Sequence, residues 1–137
     1  MRRIFVTVCT LAIALLTGCG TDYGTAPTQA SLAGTWNLTT VNGAPLPFII
    51  QAANPKLEVL SDQYILLANG TFTETYQLRG TVGTDVSTQT FTDAGTYSVT
   101  GTAVNVRYSD GTGLTGTVSG NTVTIAQSGA SLVFTKQ

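Results

Sequence analysis

The chain has 137 residues, no histidine, two cysteines and a formal net charge of −1. Without histidine, the Ser-His and Cys-His nucleophilic arrangements and His-based zinc sites have no residues to build them. Only 9% of residues are charged, which excludes a basic nucleic-acid footprint and a polybasic membrane patch.

At the amino terminus, Arg2 and Arg3 precede an apolar run over residues 4–16, broken only by Thr7, Cys9 and Thr10. Positive charges, a short apolar core and a small-residue processing site make up a secretory signal. The core covers about 13 residues, short of the ~20 that a spanning helix needs. It ends in Leu16-Thr17-Gly18-Cys19. This run resembles the lipobox of bacterial lipoproteins, an aliphatic residue and two small ones ahead of a cysteine. The resemblance implies that the signal peptide, residues 1–18, is removed. It also implies a diacylglyceryl group on the Cys19 thiol and a fatty-acyl group, such as palmitate, on the new amino terminus. Two or three such chains anchor stably where one holds marginally. Gly20, rather than an aspartate, follows the cysteine. By resemblance to Gram-negative lipoprotein sorting, this implies the outer membrane, on its periplasmic or surface face. The expected location is therefore extracytoplasmic and lipid-anchored.

Cleavage leaves four basic residues (Lys56, Arg79, Arg107, Lys136) against seven acidic ones, a net charge of −3. With Cys9 discarded and Cys19 acylated, no thiol remains for a disulfide, so packing and hydrogen bonds must hold the fold. Residues 19–30 are polar and carry Pro27, as in a flexible tether. A single domain is expected over residues 31–137.

That domain reads as short strands separated by turn residues. Residues 35–41 form the first. Residues 45–50 (PLPFII) are an apolar loop, because Pro45 and Pro47 break any helix. Residues 56–68 make one long or two broken strands, and Asn69-Gly70 is a strong hairpin signal. In residues 71–78, Phe72, Glu74, Tyr76 and Leu78 alternate with threonines and Gln77. Residues 80–92 are rich in Thr and Gly, with a ragged strand near 86–91. Asp93-Ala94-Gly95 reads as a turn. Strands at 96–100, 103–108, 114–118, 122–126 and 131–136 follow, joined by Gly-containing turns. No amphipathic helix is evident. Val99-x-Gly101-x-x-Val104-x-Val106 returns nineteen residues later as Val118-x-Gly120-x-x-Val123-x-Ile125, the mark of two similar hairpins. Eight or nine antiparallel strands with tight turns predict an all-β fold, either an up-and-down barrel of about eight strands or a β-sandwich.

Gly34-Thr35-Trp36 resembles the Gly-x-Trp signature that opens the first strand of lipocalins and their calycin relatives. Residues 132–136 (LVFTK) resemble the closing strand of small bacterial lipocalin-like domains. The resemblance implies an eight-stranded barrel in which a basic residue covers the opening tryptophan. Lys136 is the candidate, sharing a face with Leu132 and Phe134, and Arg107 is second.

A barrel of this size is either filled by side chains or holds one small ligand. Leu46, Phe48, Ile49 and Ile50 are expected at the barrel mouth, as plug or lid. Phe72, Glu74, Tyr76, Tyr97 and Tyr108 are the candidate cavity residues. Glu74 on an apolar face has to be paired, hydrogen-bonded or near an opening; Arg79, Arg107 and Tyr97 are the partners considered. Asp110-Gly111 lacks the repeated oxygen ligands of a calcium loop. No metal, cofactor or catalytic residue is assigned. The expectation is non-catalytic binding of a small apolar or amphipathic ligand, with membrane attachment through the lipid and no nucleic acid. The alternative is a filled barrel acting as an envelope interaction module, its protein partner unknown. Two carboxylates converging in a cleft would instead favour an enzyme.

Overall fold

The computed structural model describes residues 24–137. The signal, the lipobox and Cys19 lie outside the described residues. A single helical turn, α1 (Gln29–Leu32), precedes ten strands. They are β1 (Gly34–Val41), β2 (Ala44–Pro45), β3 (Phe48–Gln51), β4 (Lys56–Leu66), β5 (Thr71–Val82), β6 (Asp85–Thr100), β7 (Ala103–Tyr108), β8 (Gly113–Ser119), β9 (Thr122–Gln127) and β10 (Ala130–Lys136). From β4 to β10 each strand pairs antiparallel with the next, and β1 pairs with both β10 and β4. That double pairing closes eight strands, β1 and β4–β10, into a barrel and rules out the sandwich. Closure leaves few unpaired edges.

The ring is not closed along its whole height. Residues 34–37 of β1 pair with residues 63–66 of β4, and beyond that point the two strands part. β2 continues the sheet from β1 at Thr40 and Val41, and β3 continues it from β4 at Glu58 and Val59. The segment read as an apolar loop is thus two short strands set into the gap. Pro45 fits because β2 lies at the edge of the sheet, where a missing donor costs little.

The inner face grades from packed to open. Along β5, Phe72 is 2% exposed and Glu74 6%, whereas Tyr76 and Leu78 are only half-buried. At the packed end Tyr64 lies edge-on to Phe134 at 5.1 Å and Phe72 edge-on to Tyr108 at 5.3 Å. Val104, Val106 and Ile125 fill the layer around them. Such edge-to-face pairs are favourable beyond the area they bury.

α1 seals this end. Thr28 and Ser31 form a reciprocal capping box, which satisfies donors a four-residue helix would otherwise leave bare. Leu32 is buried, and Trp36 Nε1 donates to the Leu32 carbonyl at 2.8 Å. The Tyr97 hydroxyl is hydrogen-bonded to the carbonyls of Gln29 and Leu67. The sequence reading missed α1 because one turn is too short to show a helical period. Gln29 and Ala30, within the stretch read as tether, belong to it.

Two strand readings also change. β5 runs on to Val82 and β6 starts at Asp85, so the Thr/Gly-rich stretch is one long hairpin rather than a ragged strand. Asp93-Ala94-Gly95 is the middle of β6, not a turn. Gly95 faces Phe72 on one side and Tyr108 on the other, at a point where the Arg107 backbone leaves no room for a Cβ. It is a glycine of close approach, not of chain reversal. The repeat predicted two like hairpins, and both occur: Val99 pairs with Val104, and Val118 with Val123.

Candidate functional site

The open half of the barrel holds a cavity of about 840 Å³ that opens to solvent at the mouth. Seven strands supply its main walls. From β1 and β10 come Leu38, Val41 and Leu132; from β3, Phe48, Ile49 and Ile50. From β4 and β5 come Val59, Asp62, Glu74, Tyr76 and Leu78, and Tyr108 and Asp93 complete the opposite wall. Apolar side chains thus line most of the space, and Asp62 and Glu74 enter it from β4 and β5 beside Val59 and Leu78. Among the described residues no lysine or arginine lines the space. The volume falls within the ~300–1,000 Å³ usual for small-molecule sites. By contrast, the void at the packed end is about 30 Å³, room for a water at most.

A hairpin register and one bulge determine which side chains face in. Asn69-Gly70 joins β4 to β5, with Leu66 opposite Phe72, Tyr64 opposite Glu74 and Asp62 opposite Tyr76. Counting back from Phe72 in twos puts Tyr64 and Asp62 inside. At Leu60 the register shifts by one residue, so Val59 faces inward opposite Leu78 while Glu58 turns out opposite Arg79. Outside, Glu58 Oε2 accepts from Arg79 Nε at 2.8 Å and Glu58 Oε1 lies 2.9 Å from Lys56 Nζ. Arg79 first, then Lys56, hold the Glu58 carboxyl down at about 2.

Inside, the electrostatics reverse. Glu74 and Asp62 are within hydrogen-bonding reach of one another, and the Tyr64 and Tyr108 hydroxyls reach Glu74. These two tyrosines also hydrogen-bond to each other. Burial, and then the charge of Glu74, pushes the Asp62 carboxyl up to about 8. Burial raises Glu74 as well, against the lowering effect of the tyrosine hydroxyls. Tyr64 is raised by burial and by Glu74, and Tyr108 chiefly by burial. Two carboxyls in contact cannot both be charged cheaply, so they share a proton at neutral pH. Asp62 Oδ1 is covered and has no hydrogen-bond partner.

Of the residues predicted to line a cavity, Glu74, Tyr76 and Tyr108 do so; Phe72 and Tyr97 are packed core. Phe72 sits one step too deep along β5, and Tyr97 is tied to α1. None of the three partners considered for Glu74 meets it. Arg79 is on the outer face with Glu58, Arg107 is exposed on β7, and Tyr97 bonds to α1. The partner is Asp62, which sequence reasoning missed. The signal was there in the two-residue count back from the Asn69-Gly70 hairpin. Asp93 was missed because a Gly two residues on made it look like a turn. At the mouth, Phe48, Ile49 and Ile50 line the cavity, whereas Leu46 packs against the core. Asp110 stays at a turn, its Oδ1 accepting from Thr112 N at 2.7 Å, and this backbone bond lowers its carboxyl.

At the sealed end, Gly34 has φ of +136°, and a Cβ there would lie 2.9 Å from Lys136 Cε. Lys136 Nζ stands 5.8 Å from the centre of the Trp36 ring, within cation–π range, and donates to the Ser31 carbonyl at 2.7 Å. The family model described as Lipocalin-like domain matches residues 32–135. The chain belongs to the lipocalin-like family. No curated protein matches it. In this lipocalin-like barrel, the Gly-x-Trp motif at the start of β1 and its covering lysine lie at the end opposite the cavity. Among its described residues, no group of three or more Asp, Glu, His or Cys side chains converges to hold a metal ion.

Proposed function

We propose that this protein is a lipid-anchored extracytoplasmic lipoprotein whose barrel takes up one small apolar or amphipathic ligand without chemistry. The observation that carries the reading is the half-hollow interior: about 840 Å³ of space behind the mouth strands, above a packed aromatic layer. A filled barrel, the rival reading, accounts for the packed half only. The anchor rests on the lipobox and Cys19. It fits the geometry, since the chain enters through α1 at the sealed end. A tether attached there leaves the mouth unobstructed.

The Asp62–Glu74 contact favours one second reading, hydrolysis, because a proton-sharing carboxyl pair can act as acid and base. Binding takes precedence, since the chain belongs to a barrel family whose interior suits one small ligand. Turnover of ester, peptide or glycoside substrates that is lost in Asp62→Asn would reverse that order.

Titration of the purified protein with a neutral environment-sensitive dye tests binding. Saturable one-to-one uptake, weakened in Phe48→Ala, is expected. No saturable uptake, with Phe48→Ala changing stability alone, would overturn it. The intact mass of the membrane-extracted protein tests the anchor: loss of residues 1–18 and added acyl mass on Cys19 are expected. An unprocessed, unacylated terminus would remove it.

A further inference from the structure

We infer that the ligand is an organic cation, an amphipathic amine or quaternary ammonium compound, with its charged head against Asp62 and Glu74 and its apolar body toward Phe48, Val59 and Leu132. The inference rests on the binding reading above and narrows it to a chemical class.

Four observations point the same way. The first is the charge of the lining: Asp62, Glu74, Asp93 and Asp110 contribute to it and no lysine or arginine does. An anionic ligand would enter against this field, and a cation would be drawn in. The second is that the deepest of these acids is committed to the cavity. Glu74 is 6% exposed, lines the space and has no cationic partner. Burying a carboxyl without a cationic partner costs stability. The third is the unused acceptor, since Asp62 Oδ1 is covered and accepts no hydrogen bond. Such an atom is free to accept from a water or from a ligand's donor. The fourth is the aromatic frame. Tyr64, Tyr76 and Tyr108 flank the pair, and Tyr76 stacks on Phe91 at 5.0 Å. Of these, Tyr76 and Tyr108 line the cavity itself, and aromatic walls beside carboxylates suit ammonium groups. A metal ion fits less well, because no cluster of three ligating side chains exists among the described residues.

The site also implies a proton balance. The groups facing the pair are Tyr64 on β4, Tyr76 on β5, Asp93 on β6 and Tyr108 on β7, none of them cationic. At neutral pH the empty pair holds a proton, with Asp62 raised to about 8. A bound ammonium favours the ionised pair, so that proton passes to the buffer. Affinity for a cation of fixed charge therefore rises with pH, from about 6 to about 9, and proton release disappears above that window.

Calorimetry with n-octyltrimethylammonium, 1-octanol and octanesulfonate, all below their micelle concentrations, tests the inference. The cation is expected to bind about tenfold or more tightly than the alcohol, and the sulfonate weakest. Glu74→Gln and Asp62→Asn should bring cation and alcohol to within about threefold of each other. If either variant fails to fold, the wild-type pH dependence reads the same effect without substitution. Alcohol binding as tight as the cation, or a cation preference that survives both substitutions, overturns the inference and leaves the barrel a binder of apolar ligands. Failure of all three compounds to bind overturns the binding reading as well.

Discussion

An alanine at position 95 would set its Cβ 2.1 Å from the Arg107 carbonyl oxygen and 2.9 Å from Phe72 Cε1. Neither neighbour can move freely, since one is backbone and the other a fully buried ring. Gly95→Ala is therefore expected to destabilise the protein by about 1–3 kcal/mol in urea titration. An unchanged midpoint would show that β6 and β7 have slack the structure denies. The two kinds of carboxyl make a second residue-scale prediction, with opposite signs. Glu58, lowered from 4.5 to about 2, stabilises the fold above its ordinary value, and that stability is lost as pH falls toward 2. Asp62, raised from 3.8 to about 8, keeps its proton in the folded state where the unfolded chain has released it. Stability therefore falls as pH rises from about 4 to about 8, and the maximum is expected at about pH 4–5. Asp62→Asn should add about 1–3 kcal/mol at pH 8 and progressively less toward pH 4. A gain of the same size at both pH values would mean that ionisation is not the cause.

β6 is flanked by β5 along its whole length but by β7 only from Gly95 onward. Its first half, with Val86 exposed at 63%, is an edge. Hydrogen exchange should distinguish the halves, with residues 86–92 exchanging faster than residues 96–100. Equal protection would indicate a partner strand on that edge. At the other end, Leu32→Ala should cost about 2–4 kcal/mol, because Leu32 is the buried residue of α1. Elements were legible wherever one local rule governed them. The alternation in β5, the Asn69-Gly70 turn and the paired Val-Gly-Val hairpins all correspond to real strands and turns. Legibility failed where a distant contact overrode local chemistry. Gly95 reads as a turn glycine until the Arg107 backbone is seen against it, and α1 is held by the barrel rather than by its own period. The bulge at Leu60 left no trace that a pattern could show, and with it went the inward turn of Val59 and the outward turn of Glu58.

Strand count and turn chemistry left a barrel and a sandwich open, the resemblance of the Gly-x-Trp opening and Lys136 implied the barrel, and the β1–β4 pairing closes it. What strand patterns could not give is the depth of packing. Phe72, Glu74 and Tyr76 share one face and one spacing, yet the first is core, the second a buried acid and the third a cavity wall. Depth depends on where β1 and β4 part company, and that depends on the β2–β3 insert. The division into a sealed half and a hollow half is the claim on which the functional reading rests. Methyl NMR during titration with a small apolar or cationic amphiphile tests it most directly. The account predicts saturable shifts at Val41, Val59, Leu78 and Leu132, with Val104, Val123 and Ile125 unmoved. Shifts spread evenly through both groups, or found at neither, would contradict it.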